Sequence, residues 1–448
     1  MRSSAKLFAP LLALALSSCA GHSDRTLEAR TALDVGRPKE ALALYNDALD
    51  VDSAKELPDE VGGDNALLLL DRAMILQQLE QYELSSRDLQ TADKQIEVLD
   101  FSHGAADSLA KYLFSDEAGD YQAPPYEKLM INSMNMVNYL VRGDLGGARV
   151  EARRLAVMQK YISEHEDPNG AFLGAGSYLA GFTFEQSNEP EQALRWYDEA
   201  LQYGDYLSLY EPVRRLAARS SYRTPRIRKI LEAASESAGA AAAEAGPELA
   251  DVLVVMSFGR VPAKQAKRVP IGLALTYASG ALSPTDHARA NYLAGQGLVT
   301  WVNYPALGKP RGQFEQPELA VDGSWQPIEG ILAVDRQAIR AWEEARGSVV
   351  AAAITRMLAR VVAGETTRRA AGGTIGALLS LATQATLTAT DVPDTRSWAT
   401  LPARIAFGRL RVEPGTHTVY VSARGVKKQV RVAARPGGWV VINHTVLN

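Results

Sequence analysis

Cysteine is almost absent from this chain of 448 residues: Cys19 is the only one. No disulfide can form within the molecule, so the fold rests on its apolar core. Histidine is scarce. His22, His103, His165, His287, His417 and His444 are scattered, with no HExxH run and no cysteine partner, so no zinc-ligand set is readable from their spacing. Glu164, Glu166 and Asp167 gather around His165 but lack the alternating oxygen ligands of a calcium loop. Neither sign of charge is in excess. Forty-eight Lys and Arg stand against 52 Asp and Glu, a formal net charge of −4, which removes the global electrostatic case for nucleic acid. No GxSxG elbow occurs, and Gly174-Ala175-Gly176 has no strand before it and no Lys-Ser/Thr pair after it, as a phosphate loop would require. These absences argue against an enzyme and give no reason to expect a metal or cofactor.

What is present begins at the N-terminus. Arg2 and Lys6 precede an apolar run, Leu7 to Leu16, of about ten residues, the length of a signal h-region and too short for a membrane-spanning helix. The run ends in Leu16-Ser17-Ser18-Cys19, which resembles the lipobox of bacterial lipoproteins. That resemblance implies cleavage after residue 18 and lipidation of the Cys19 thiol. Each buried CH₂ of an acyl chain contributes ~0.8 kcal/mol, so two or three chains would keep the protein at a bilayer. Ala20 follows the cysteine where an Asp would signal retention. By resemblance to Gram-negative sorting rules, the expected address is the outer membrane, facing the periplasm. Residues 1–18 are set aside as signal peptide.

From 19 to 245 the chain reads as helix. In GRPKEALALYNDAL, Gly36 closes one helix and Pro38 opens the next, which carries Ala41, Tyr45 and Ala48 on one face. NEPEQALRWYDEAL repeats the design with Asn188, Pro190, Ala193, Tyr197 and Ala200. Ala29 and Gly181 stand at the small position of each preceding helix. The pattern resembles the tetratricopeptide repeat, a helix–turn–helix unit whose stacks leave a concave protein-binding face. Ala73, Tyr82, Leu89 and Ala92 fit a degenerate copy, and Tyr139, Gly143, Ala148 and Leu155 another, with an insertion around Asp100–Pro125. The helix expected over 226–245 closes this array at Gly246-Pro247.

After that boundary the pattern changes. Asp251–Phe258, Arg268–Leu275 and Gly297–Asn303 read as strands, and Asp322-Gly323 as a hairpin turn between Ala320–Val321 and Trp325–Ile328. A helical insertion occupies 331–392, its amphipathic part running from Asp335 to Val362. Strands return over Ala403–Val412, Thr416–Ala423, Lys427–Ala433 and Trp439–Val446. Lys427, Lys428 and Arg431 would guard an edge strand. The fold class expected is therefore α+β: a TPR-like helical repeat array over 19–245, then a smaller antiparallel β-sandwich-like module built from 246–330 and 393–448 around the helical insertion.

Two further segments invite a binding role. Ala370–Thr390 carries no charge and holds the Gly372/Gly376 GxxxG spacing of tight helix contacts, which suits a buried or partner-contacting helix. Asp394-Thr395-Arg396-Ser397-Trp398 mixes Arg and Trp, typical anchors of interfaces, though an internal Asp–Arg pair bracing the inter-domain joint fits equally. Arg396, Trp398 and the repeat residue Trp196 are the candidate partner-binding side chains. Residues 66–101, 128–155 and 394–402 carry a resemblance to uncharacterised bacterial lipoproteins with tetratricopeptide-like repeats. Genes for such proteins often neighbour lipoproteins similar to activators of penicillin-binding proteins. The resemblance implies a non-enzymatic, membrane-anchored scaffold in envelope or peptidoglycan biogenesis, with penicillin-binding-protein machinery as partner. An accessory subunit of an export or outer-membrane assembly complex is the alternative. No catalytic residue is implied.

Overall fold

The computed structural model describes residues 21–98, 121–123, 125–164, 170–237, 248–296, 301–309, 316–371 and 393–448. The signal segment with Cys19, nearly all of the Asp100–Pro125 insertion, His103, the His165 cluster apart from Glu164, and residues 372–390 of the uncharged segment lie outside the described residues. The fold is α+β, with helices filling the N-terminal half and sheets concentrated in the C-terminal part.

After the short α1 (His22–Arg25), helices pair along the chain: α2 (Leu27–Asp34) with α3 (Pro38–Ala48), α4 (Asp64–Gln78) with α5 (Tyr82–Gln95), α6 (Pro125–Val141) with α7 (Leu145–Glu164), and α8 (Gly170–Gln186) with α9 (Pro190–Tyr203). Then come α10 (Tyr210–Ala217) and α11 (Pro225–Ser237). The turn chemistry follows the sequence. Gly36 and Asn188 adopt left-handed φ values of 72° and 60°, and Pro38 and Pro190 open the helices that follow. Ala41, Tyr45, Ala193, Tyr197 and Ala200 are all buried. Close approach decides the small residues: a Cβ on Gly181 would lie 2.3 Å from the Tyr197 ring, and one on Gly147 would lie 2.3 Å from Tyr139. Two short strands, β1 (Glu97–Val98) and β2 (Gln122–Ala123), pair in parallel beside this layer.

The C-terminal part holds two four-stranded sheets. One has the order β12 (Trp439–Val446), β3 (Ala250–Phe258), β9 (Arg404–Val412), β8 (Glu329–Ala333). The other has the order β11 (Val426–Ala434), β10 (Gly415–Ala423), β6 (Glu318–Val321), β7 (Ser324–Trp325). Every residue of β3 is buried. Ala250, Val252, Val254, Met256 and Phe258 join Val419, Val421 and Leu319 in the cluster between the two sheets. Leu253 and Val255 face the other way, into the helical core with Ile405, Phe407 and Val441. Strand β12 runs parallel to β3, with Trp439 opposite Asp251, so the module is not wholly antiparallel as expected. The two strands lie far apart in the chain, so no hairpin dictates their direction.

The segment between β3 and β6 also departs from expectation. β4 (Lys264–Pro270) pairs with β5 (Trp301–Leu307), but residues 271–275 are helical, within α12 (Ile271–Tyr277), and α13 (Pro284–Gly295) follows. Ile271-Gly272-Leu273-Ala274-Leu275 contains a single β-branched residue, and Ala and Leu favour helix. Ser283 caps α13 by accepting from the Asp286 amide. With the long α14 (Val334–Ala371), these elements enclose a second apolar cluster around Ala278, Val302, Val350 and Ile354.

The Gly181 contact yields a paired test. Gly181→Ala must displace Tyr197 and should destabilise by about 1–3 kcal/mol, against the usual helical gain from Ala. Gly272→Ala, with open space around it, should be neutral or stabilising by up to ~1 kcal/mol. Urea unfolding of both variants beside the parent checks it, and equal effects would sink the packing argument.

Candidate functional site

The peptide that precedes β9, residues 393–403, runs between the helices and the sheets and is bonded to both. The Thr395 hydroxyl accepts from the Ser23 amide at 3.1 Å, and the Ser397 hydroxyl accepts from the Lys264 amide at 3.1 Å. Thr400 is fully buried. Its amide and hydroxyl donate to Asp71 Oδ1 at 2.8 and 2.9 Å, and its hydroxyl also meets the Asp71 carbonyl. Leu401 and Ala403 exchange backbone bonds with Val261 and Gly259.

The candidate partner residues fall into this joint or close against the core. Trp398 is 2 % exposed and sits in the main apolar cluster, so its surface is spent on packing and does not face outward. Arg396 forks onto Asp394, Nε at 3.0 Å from both carboxylate oxygens and Nη2 at 2.8 Å from Oδ2. Trp196 is half-buried against the same cluster. The structure does not bring the three together as one surface.

Two buried charge clusters brace the joint. In the first, the Tyr121 hydroxyl donates to Glu127 at 2.5 Å. Burial pushes the Glu127 carboxyl up to about 7 and pulls Lys264 below its ordinary value. Burial would raise Asp394 too, but Arg396 and Lys264 outweigh it and hold that carboxylate low. In the second, Arg409 of β9 donates from Nη2 to both Glu185 oxygens and to Asp251 Oδ1, each at 2.9 Å, and from Nη1 to the Tyr197 hydroxyl at 2.8 Å. Its guanidinium lies 5.0 Å from the centre of the Phe182 ring. Raised carboxyls and lowered amines also occur in acid–base sites. Here Glu127 and Lys264 are both buried, 2 % and 9 % exposed, which suits a brace.

An open cleft of about 410 Å³ lies where the end of α9 meets β8 and the start of α14. Tyr206 and Leu332 form its buried floor, and Tyr203, Asp205, Ile331, Arg336 and Arg340 its rim. The walls are tied together: Glu329 accepts from the Ser208 amide through both oxygens at 3.1 Å. Gly330, at φ 63°, admits the Tyr206 ring, which a Cβ would meet at 2.1 Å. Behind it Tyr178 stacks on Phe407 with centroids 4.5 Å apart. Arg336 and Arg340, four residues apart and exposed on α14, have no side-chain partner among the described residues. Sequence reading missed this cleft because its walls come from segments more than a hundred residues apart. Among the described residues, no group of three or more His, Cys, Asp or Glu is arranged to hold a metal ion, and no helix is long and apolar enough to cross a membrane. No protein-family model matches this chain, and no curated protein matches it.

Two measurements test the joint. Thr400→Val removes the hydroxyl donor to the buried Asp71 carboxylate while the residue 400 amide keeps its own bond, and should cost roughly 1–3 kcal/mol, read as a lower urea midpoint. Loss of less than ~0.5 kcal/mol would mean the contact is incidental. For Glu127 the raised folded value sets the sign: its contribution is fully present below about 4.5, the unfolded value, and fades as pH rises to about 7. Thermal stability should therefore fall across that window. Glu127→Gln should flatten the fall, and an unchanged slope in the variant would refute the assignment.

Proposed function

We propose that the chain is a membrane-anchored periplasmic lipoprotein, lipidated on Cys19 at the outer membrane, that acts as a non-enzymatic protein-binding scaffold in cell-envelope or peptidoglycan biogenesis. The helix pairs are read as a TPR-like array and the two facing sheets as a sandwich-like module. In stacks of this kind the first helix of each pair lines the concave face. Here α4 and α6 meet β12, and α8 meets β8, so the chain's own sheet occupies the face on which a partner would be expected. A partner must therefore engage another surface.

The observation that carries the binding half of this reading is the cleft with Arg336 and Arg340 on its rim. Two unpaired guanidinium groups beside Tyr203, Tyr206 and Ile331 combine charge and apolar contact as interface centres do, and they suit an acidic segment of a partner protein. The anchoring half rests on the Leu16–Cys19 motif.

In-cell crosslinking followed by purification from envelope membranes tests the proposal. Capture of a penicillin-binding protein or its lipoprotein activator is expected, reduced roughly tenfold or more in an Arg336→Glu/Arg340→Glu variant of unchanged thermal stability. Recovery of export or outer-membrane assembly components alone would overturn the role in wall synthesis. Undiminished capture by the variant would remove the cleft from it.

A further inference from the structure

From Gly21 on, the chain is bonded into the fold. Gly21 is already ordered, its carbonyl accepting from the Asp24 and Arg25 amides at 2.9 and 3.1 Å. His22 is 4 % exposed, with Nε2 3.8 Å from the Asp71 carboxylate. The Ser23 amide donates to Thr395, and Arg30 Nη2 reaches back to the Ser23 carbonyl and hydroxyl at 2.5 and 2.9 Å. Successive Cα atoms lie 3.8 Å apart at most, so Cys19 stands within ~8 Å of Gly21 wherever residues 19 and 20 go. A lipid on Cys19 has almost no tether.

The surface beside that attachment point is the outer face of α2. Leu27 and Val35 are 53 % and 61 % exposed, and Thr31 between them is exposed as well, which forms an i, i+4, i+8 stripe pointing away from the protein. Asp24 and Glu28 flank Arg25, so this face has no basic excess and no electrostatic preference for anionic lipid.

We propose that the first helices rest directly on the bilayer, with Leu27 and Thr31 of α2 and Val35 at its C-terminal cap against a zwitterionic lipid surface, and that the short tether holds the molecule in one orientation. This inference rests on the reading of Cys19 as the lipidated residue. It makes the helical layer project away from the membrane, with α11 at the other end of the run of helix neighbours that starts at α2. The lipid supplies the attachment free energy and the α2 face supplies the direction.

The chain itself offers a clean probe, because an introduced cysteine is the only free thiol once Cys19 is lipidated. Full-length lipidated protein, reconstituted into phosphatidylcholine nanodiscs containing a headgroup nitroxide lipid, is labelled with a fluorophore at Leu27→Cys, Val35→Cys or Lys229→Cys on α11. Quenching at 27 and 35 should exceed that at 229 several-fold. A Gly/Ser insertion of about a dozen residues between Ala20 and Gly21, ~19 Å in r.m.s. length, should erase most of the difference. Equal quenching at all three positions in the parent, with the acyl mass present on the N-terminal peptide, would overturn the orientation while leaving the anchor intact. Absence of the acyl mass would overturn the anchor, and the orientation with it.

Discussion

Strand β3, inside the sheet β12–β3–β9–β8, is buried on both faces, and the rest of the architecture depends on that. Each face needs an apolar cover, and the two covers come from different parts of the chain. The helices take Leu253, Val255, Ile405, Phe407 and Val441; the second sheet takes Val252, Val254, Met256 and Ile442. Five large side chains against the helices are worth roughly 10 kcal/mol at 1.5–3 kcal/mol each. That is comparable with the whole net stability of a typical domain. Helices and sheets therefore cannot separate cheaply, and the helical layer is no free groove that happens to be tethered to a β module.

Apolar cover alone would not set the register between the layers, and the polar contacts crossing the same interface do that. Gln77 of α4 donates to Asn138 of α6 at 2.8 Å and accepts from Thr445 of β12 at 3.0 Å, while Asn138 donates to Ser85 of α5 at 2.9 Å. Four elements are thus fixed by three bonds among buried side chains. Arg409 with Glu185 and Asp251, and Asp71 with Thr400, repeat the device farther along. Burying such charges is costly, and their favourable term is spent largely on that desolvation, so their net effect falls on specificity of assembly more than on stability. Removing one partner is the damaging event, because the other is left buried and unsatisfied.

Local chemistry was legible in the sequence where a residue type has one physical reason to be there. Gly36, Asn188, Pro38 and Pro190 bound their helices, and Asp322-Gly323 makes its turn with positive φ at both positions. The β-branched run Asp251–Phe258 announced a strand, though not that both its faces would be covered. Long-range choices were not legible. The parallel pairing of β12 with β3 joins residues almost two hundred apart, and α12 was misread because a short run such as Ile271–Leu275 suits strand and helix alike until its neighbours are known. The Asp394–Arg396–Trp398 stretch had two readings, and only burial separates them. The cleft left no trace in the sequence, since Arg336 and Arg340 look like any solvated pair until Tyr203 and Tyr206 are placed opposite.

On the proposed reading of the helix pairs as a repeat array, the chain's own sheet would fill the face where a partner sits, which has a consequence for how such a protein can bind. A repeat stack with an open groove can flex and adapt along its length, because each unit contacts only its neighbours. Here β12 touches α4 and α6, and β8 touches α8, which ties the three helices to one sheet. Binding on the outer surface of such a body costs little conformational entropy, since the walls of the cleft are already tied through Glu329 and the Tyr206–Gly330 contact. Rigidity also transmits position: whatever holds Gly21 and His22 at one end fixes where Arg336 and Arg340 point. On the proposed anchoring, orientation at the membrane and presentation of the cleft would be two results of one constraint, the sheet clamped between its two apolar covers.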